Sequence, residues 1–353
     1  MSQARQTEVP QPAPLVEVRR GGVVESRHRG HVAACEPDGR VVARLGAPEL
    51  VTFLRSSAKP FQALPLVASG AAARFGFSEA EIAIACGSHS GEPVHEATVA
   101  GMLEKIGLQP GALKCGIHEP FSTAVAHAQR ERGEPFRVLQ NNCSGKHAGL
   151  LALALDLGAP IETYDQLDNP VQQAILRTVA QFAGLPATEI PLGVDGCGVP
   201  VFAVPVRVMA QMYARLVAPP AEFGADVQAA CARIVEAMTA HPELVGGPNE
   251  RLDTEMMRAT RGAVVSKVGA EGVYTAAVRT CAAWPRGLGL ALKIEDGENL
   301  RARPTVVIEA LRQLGALDEA ALARLAPYAR FDVRNHRGEL VGEVRPAFEL
   351  EQA

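Results

Sequence analysis

Hydrophobic and polar positions alternate in short runs at both ends of the chain, and apolar residues recur at helical spacing through its middle. Residues 15–28 read as two strands around Gly21-Gly22, a hairpin signal. Residues 31–46 read as two more around the turn Pro37-Asp38-Gly39. Helices follow. One opens on Ser78 with Glu81 three residues on, a capping-box pattern. A second covers 95–107, and a third runs from Pro170 at its first turn to a closing Gly184. A fourth covers 223–241 and stops before Pro242. Strands return at 262–269, 272–279 and 287–297. Two helices near 304–315 and 318–326 come next, then a last strand over 339–348. The two ends of the chain are expected to meet in one mixed, mainly antiparallel sheet. The helical region of about 60–260 is inserted between its halves. This is an α+β layout, not the alternating pattern of a doubly wound fold. Residues 1–14 are polar and proline-rich and read as a flexible tail, which leaves 15–353 as a single catalytic domain.

Composition narrows the picture. Of the 353 residues, 47% are hydrophobic and only 5% aromatic, so the core is built mostly from small and aliphatic side chains. The net charge of −4 and the absence of a Lys/Arg run give no reason to expect a nucleic-acid partner. No apolar run is long enough to span a membrane, and the N-terminus lacks the apolar stretch of a signal peptide. The 7 cysteines are odd in number and scattered, which argues against a disulfide framework and suits a reducing cytoplasm.

The first candidate for chemistry is Ser56-Ser57-Ala58-Lys59-Pro60. Proline lacks an N–H and is tolerated in the first turn of a helix, so a helix through 59–70 starts near Ser56 or Ser57. Ser56 and Lys59, three apart, then share a face, and Ser57 points elsewhere. A serine nucleophile needs a base. Lysine can serve once burial or a nearby positive charge brings its ammonium down from roughly 10.4. A helix N-terminus also offers N–H groups for an oxyanion. The plain alternative is a serine cap beside a solvated lysine, and the tetrad alone does not decide.

Four more polar islands interrupt the apolar pattern. Residues 86–92 carry Ser88, His89 and Ser90, either serine being a candidate donor. Residues 141–147 crowd two asparagines, Cys143, Ser144, Lys146 and His147 against the start of an apolar helix. Asp195-Gly196-Cys197-Gly198 presents a carboxylate and a thiol on a turn, so Cys143 and Cys197 could share a metal or form a redox pair. Lys267 interrupts an apolar strand.

In this order, RSSAKP, CGSHSGE, NNCSGKHAG, DGCGVP and SKVGAEGVY resemble the asparaginase II family, the rhizobial type of L-asparaginase. The resemblance runs from about Gly21 to the final strand. It implies a fold like the serine β-lactamases and penicillin-binding proteins. It also implies hydrolysis of L-asparagine to L-aspartate and ammonia. Matched motif by motif, Ser56 is the nucleophile, Lys59 its base, Ser88 the second serine and Lys267 the second lysine. Cys143, Lys146 and Cys197 match a zinc site that supports substrate binding. Arg55, His147 and Asp195 fall in matched motifs as substrate contacts. A homodimer is implied as well. Three rivals stay open: another serine amidohydrolase of that fold (a glutaminase or a β-lactamase-like enzyme), a non-catalytic zinc or amino-acid binder, and a cysteine enzyme using Cys143 with His147.

Overall fold

The structure is a computed structural model and describes residues 11–353. Three strands open the chain: β1 (Ala13–Arg20), β2 (Val23–Cys35) and β3 (Val41–Leu45). The two strands expected within 23–35 are one long strand, because the sheet changes neighbours along β2 without breaking it. Its first half pairs with β1. Its second half pairs with β3 on one edge and with a C-terminal strand on the other. Ala13 and Pro14, assigned to the tail from sequence, belong to β1. Residues 1–10 lie outside the described residues.

The short β4 (Val51–Phe53) leads through a 3-10 turn at Arg55–Ala58 into α1 (Lys59–Ala68). Then come α2 (Ala71–Arg74), α3 (Glu79–Ala85), α4 (Pro93–Lys105), α5 (Thr123–Arg132), α6 (Ser144–Leu157) and α7 (Pro170–Ala183). The Ser78–Glu81 capping box forms, and Pro170 and Gly184 bound α7 as their positions require. A hairpin of β5 (Leu192–Val194) and β6 (Pro200–Pro205) interrupts the helices, with β6 between β4 and β5 in a small separate sheet. The sequence reading had seen only its turn. The helical part closes with α8 (Val206–Val217), α9 (Ala225–Ala240), α10 (Pro242–Val245) and α11 (Leu252–Ala259).

β7 (Val264–Val268), β8 (Val273–Val278) and β9 (Leu288–Ile294) return to the main sheet, followed by α12 (Ala302–Gln313) and α13 (Glu319–Ala329). β10 (Phe331–Arg334), β11 (Leu340–Pro346) and β12 (Glu351–Gln352) end the chain. The main order is β10-β11-β1-β2-β9-β8-β7, with β3 between β2 and β12. Every pairing is antiparallel, so the expected mixed character is absent among the described residues. The α+β layout, with a sheet built from both chain ends, is as read from sequence.

The sheet has apolar cover on both faces. One core contains Phe61, Phe182, Met209 and Tyr213, with α8 laid across β2, β8 and β9. The other contains Leu15, Leu290, Val306 and Leu311, with α12 against β9 and β1. All seven cysteines are free, and six of them are buried. Among the described residues, no helix is long and apolar enough to cross a membrane.

Candidate active site

The site is assembled where the helical layer meets β7. Helix α1 begins at Lys59, later than the start expected near Ser56 or Ser57, and the two serines lie in the 3-10 turn before it; Pro60 falls in its first turn, where no N–H is needed. The preceding turn is clamped from three sides. Leu54 N–H donates to Phe202 O (2.9 Å), the Tyr213 hydroxyl to Ser57 O (2.8 Å), and Ser57 Oγ to Lys267 O (3.2 Å). Ser57 is thus spent on structure, as its register suggested. Arg55 sits at φ 52°, in the left-handed region that a Cβ disfavours. Its guanidinium donates to Asp195 Oδ1 from Nε (3.0 Å) and lies 2.9 Å away through Nη2. That charged contact holds a backbone conformation costing on the order of 1–3 kcal/mol.

Lys59 and Lys267 converge on Ser88. Lys59 Nζ donates to Ser88 Oγ (2.9 Å), Gly87 O (2.5 Å) and Asn142 O (3.1 Å). Lys267 Nζ donates to Ser88 Oγ (2.8 Å) and Val268 O (3.1 Å), and lies 3.8 Å from Asp253 Oδ2. Both lysines are buried. Burial lowers the Lys59 ammonium below its ordinary range. Burial also takes Lys267 down to about 7, against the pull of Asp253 and with help from Lys59. Ser56 lines a cleft of about 560 Å³ together with Ser88, Asn142, Arg251, Asp253 and Tyr274. Its side chain makes no hydrogen bond among the described residues. The three bonds of Lys59 occupy every direction that an ammonium nitrogen has free, so the expected direct Ser56–Lys59 contact is not formed.

A second cluster forms beside this one. Gly145 lets α6 approach α3 closely, since a Cβ there would lie 2.6 Å from Ile84 O. Asn141 shapes the loop, its Oδ1 accepting from Cys143 N–H (2.8 Å). Lys146 Nζ donates to Cys197 Sγ (2.9 Å). The bond from Cys197, together with the two lysines, holds the Cys143 thiol well below its usual range. Burial opposes the Lys146 charge, but the Cys197 and Cys143 sulfurs together keep its ammonium above the ordinary value. Two sulfurs and an amine form a soft donor set that suits zinc, and the unpartnered, buried Nε2 of His147 adjoins it. Among the described residues, no three His, Cys, Asp or Glu side chains are poised for a metal. A zinc ion held here would need Lys146 as its third ligand, in the neutral form.

His147 is buried, with Nδ1 at 2.7 Å from the Tyr164 hydroxyl, and burial brings its imidazole down to about 4. Arg55 and Asp195 are spent on each other. None of these three lines the cleft. The sequence reading missed Arg251, Asp253, Tyr274 and Arg303, all of which do. Arg251 donates to Ser88 O (2.7 Å), Gly246 O (3.0 Å) and Ser90 Oγ (3.2 Å), fixing the loop that carries Ser88. Ser90 itself donates to Gly246 O (3.0 Å) and takes no part in the lysine pair.

The family model described as L-asparaginase II matches residues 16–346. The chain belongs to that family. It is therefore an amidohydrolase by membership, and the five motifs lie within the matched stretch. Compared with curated protein sequences, the chain has no match. Among solved structures it is similar to a probable glutaminase from Bacillus subtilis complexed with 6-diazo-5-oxo-L-norleucine. The identity is 13%, the cover is 82% of this chain and 85% of that one, and the TM-score is 0.37. A Bacillus glutaminase in 4.3 M NaCl is similar at 11% identity, with 81% and 91% covered and a TM-score of 0.39. At these scores neither likeness carries a conclusion about this chain.

Proposed function

We propose that this protein is an L-asparaginase of the rhizobial type, which hydrolyses L-asparagine to L-aspartate and ammonia through a serine ester. The observation that carries the reading is Ser88 Oγ held between two buried lysines on the wall of the cleft that Ser56 lines, in a chain of this family. Ser56 attacks the side-chain amide carbon. The proton it sheds goes to Ser88 Oγ, which passes its own to Lys59 or Lys267, where burial favours the neutral amine. The same relay returns a proton to the leaving nitrogen, and ammonia departs. Water then adds to the ester, and its proton follows the reverse path. In the tight turn at 55–58 the Ser57 N–H is taken by Leu54 O, and the N–H of Ser56 is a candidate to hold the oxyanion. Cys143, Lys146 and Cys197 would hold the zinc implied by the family resemblance. The ion, its charge balanced by the two thiolates, would offer an open coordination position for substrate binding, outside the chemical step.

A second reading keeps the reaction and exchanges the serines. Both lysines contact Ser88 Oγ, and neither is hydrogen-bonded to Ser56. A neutral Lys59 can accept a proton only from Ser88, since its other two partners are carbonyl oxygens. Ser88 is then the nucleophile and Ser56 an orienting hydroxyl.

The test is ammonia release from L-asparagine and L-glutamine by the purified chain, with Ser56→Ala and Ser88→Ala beside it. Release from asparagine that vanishes in Ser56→Ala supports the first reading. An α-diazoketone analogue of asparagine, followed by peptide mapping, identifies the serine that carries the label. Label on Ser88 favours the second reading. Full activity in both variants sinks the serine mechanism.

A further inference from the structure

Three buried polar atoms on residues that line this cleft have no hydrogen-bond partner: Asp253 Oδ1, the Tyr274 hydroxyl and Arg303 Nε. Asp253 is 2% exposed and Tyr274 is fully buried. Native proteins rarely leave such atoms unpaired, and three on one wall indicate a missing polar group. The rest of each side chain is tied down. Asp253 Oδ2 accepts from Val268 N–H (3.2 Å). Arg303 Nη1 donates to Gly269 O (3.0 Å) and Asn299 Oδ1 (2.6 Å). Its Nε–Nη2 edge makes no hydrogen bond among the described residues. A carboxylate oxygen and a guanidinium N–H on two residues of one cleft are therefore left unpaired, although water does not reach them. That pair of opposite charges matches the two ends of an α-amino acid, because a guanidinium fork fits a carboxylate and a carboxylate accepts from an ammonium.

We propose that Asp253 and Arg303 cradle the amino-acid head of the substrate. Asp253 Oδ1 accepts from the α-ammonium, and the Nε–Nη2 edge of Arg303 donates to the α-carboxylate, joined by the Tyr274 hydroxyl. The proposal rests on the amidohydrolase reading and names its specificity. Holding both ends of the head fixes the reach to Ser56 and Ser88, so the cleft takes a free L-amino acid bearing a side-chain amide. It rejects amides that lack either charge. Arg55 and Asp195, expected from sequence as substrate contacts, pair with each other.

The test uses L-aspartate and two truncated analogues: succinate, which lacks the α-amino group, and 3-aminopropanoate, which lacks the α-carboxylate. Each is titrated calorimetrically into the full chain and into Asp253→Asn and Arg303→Gln. Asp253→Asn is expected to weaken L-aspartate by at least about tenfold, the size of one charge-assisted hydrogen bond, and to leave succinate within about threefold. Arg303→Gln is expected to weaken L-aspartate similarly and to leave 3-aminopropanoate within about threefold. Equal losses for the whole and the truncated ligand would mean that the residue acts only through the fold or through Lys267, and would overturn the cradle. So would a wild-type chain that binds succinate as tightly as L-aspartate. Ammonia release from L-asparagine is measured alongside. Turnover without selective loss removes the cradle and keeps the function. Selective loss without turnover removes the function and keeps the cradle.

Discussion

Lys267 and Lys146 are both hidden from water, yet their surroundings take the two ammonium groups in opposite directions. Around Lys267 stand a serine hydroxyl, a backbone carbonyl, another lysine and one carboxylate at 3.8 Å. Desolvation wins there, and the ammonium falls to about 7. Around Lys146 stand two sulfurs, one of them within 2.9 Å, and they outweigh the same desolvation. Burial alone does not make a lysine a base; the countercharge in contact with it decides. The first surroundings suit proton transfer at neutral pH. The second suit charge pairing or a metal.

The largest effect is expected from removing a member of the first centre. Lys267→Met should lower kcat for ammonia release by roughly 10²–10⁴, the usual worth of a general acid–base group. Lys146→Met should keep kcat within about tenfold and act on KM, as a group outside the chemical step does. Equal losses in kcat would abolish the contrast. The pH profile sharpens it. A protonated Lys267 cannot accept a proton, so kcat/KM should rise as pH climbs through about 7 and then level off. Asp253 favours the charged form, so Asp253→Asn should move this acid limb to lower pH, whereas Lys146→Met should leave it in place. A smaller effect is expected at the sulfurs. Atomic emission on the purified chain should find bound zinc that is lost in Cys143→Ser and Cys197→Ser, with KM rising and kcat nearly kept. Full zinc occupancy in both variants would remove the metal from this centre.

Much of the contrast was written locally in the chain, and what was missed is tertiary. The N-cap of Ser78, the proline of α7 and the strands at 264–294 follow from neighbouring residues alone, and they form as read. Pro60 likewise lies in the first turn of α1, although that helix starts at Lys59 and not at the serines. The spacing of Ser56 and Lys59 could not tell that Gly87 and Asn142, far along the chain, take up the ammonium. Asp253 gave no signal, because an acid in the first turn of a helix is ordinary, and only packing against β7 shows it to be buried. Tyr274 sits in an apolar strand where its hydroxyl is invisible to periodicity. The small sheet of β4, β5 and β6 was missed because two of its strands are three residues long, too short for an alternation to register.

The two centres are also joined, and the joint gives the smallest of the expected effects. Arg55 precedes Ser56 at a left-handed backbone position, and Asp195 stands two residues before Cys197 on the β5–β6 turn. Their ion pair therefore straps the serine turn to the sulfur hairpin. It is partly exposed, with 27% and 16% of the side chains accessible, so its direct contribution to stability is on the order of 1 kcal/mol or less. Its larger consequence is for position, since the pair holds a backbone conformation that relaxes once the pair is gone. Asp195→Asn should thus lower Tm by only a few degrees for a chain of this size, in line with about 1 kcal/mol. It should lower kcat/KM by about tenfold, the cost of a misplaced reacting group being steep. Hydrogen exchange should quicken at residues 54–58 and not along α1. Quickened exchange with unchanged kcat/KM would mean that the serine turn keeps its catalytic geometry without the strap, and that the two centres work independently.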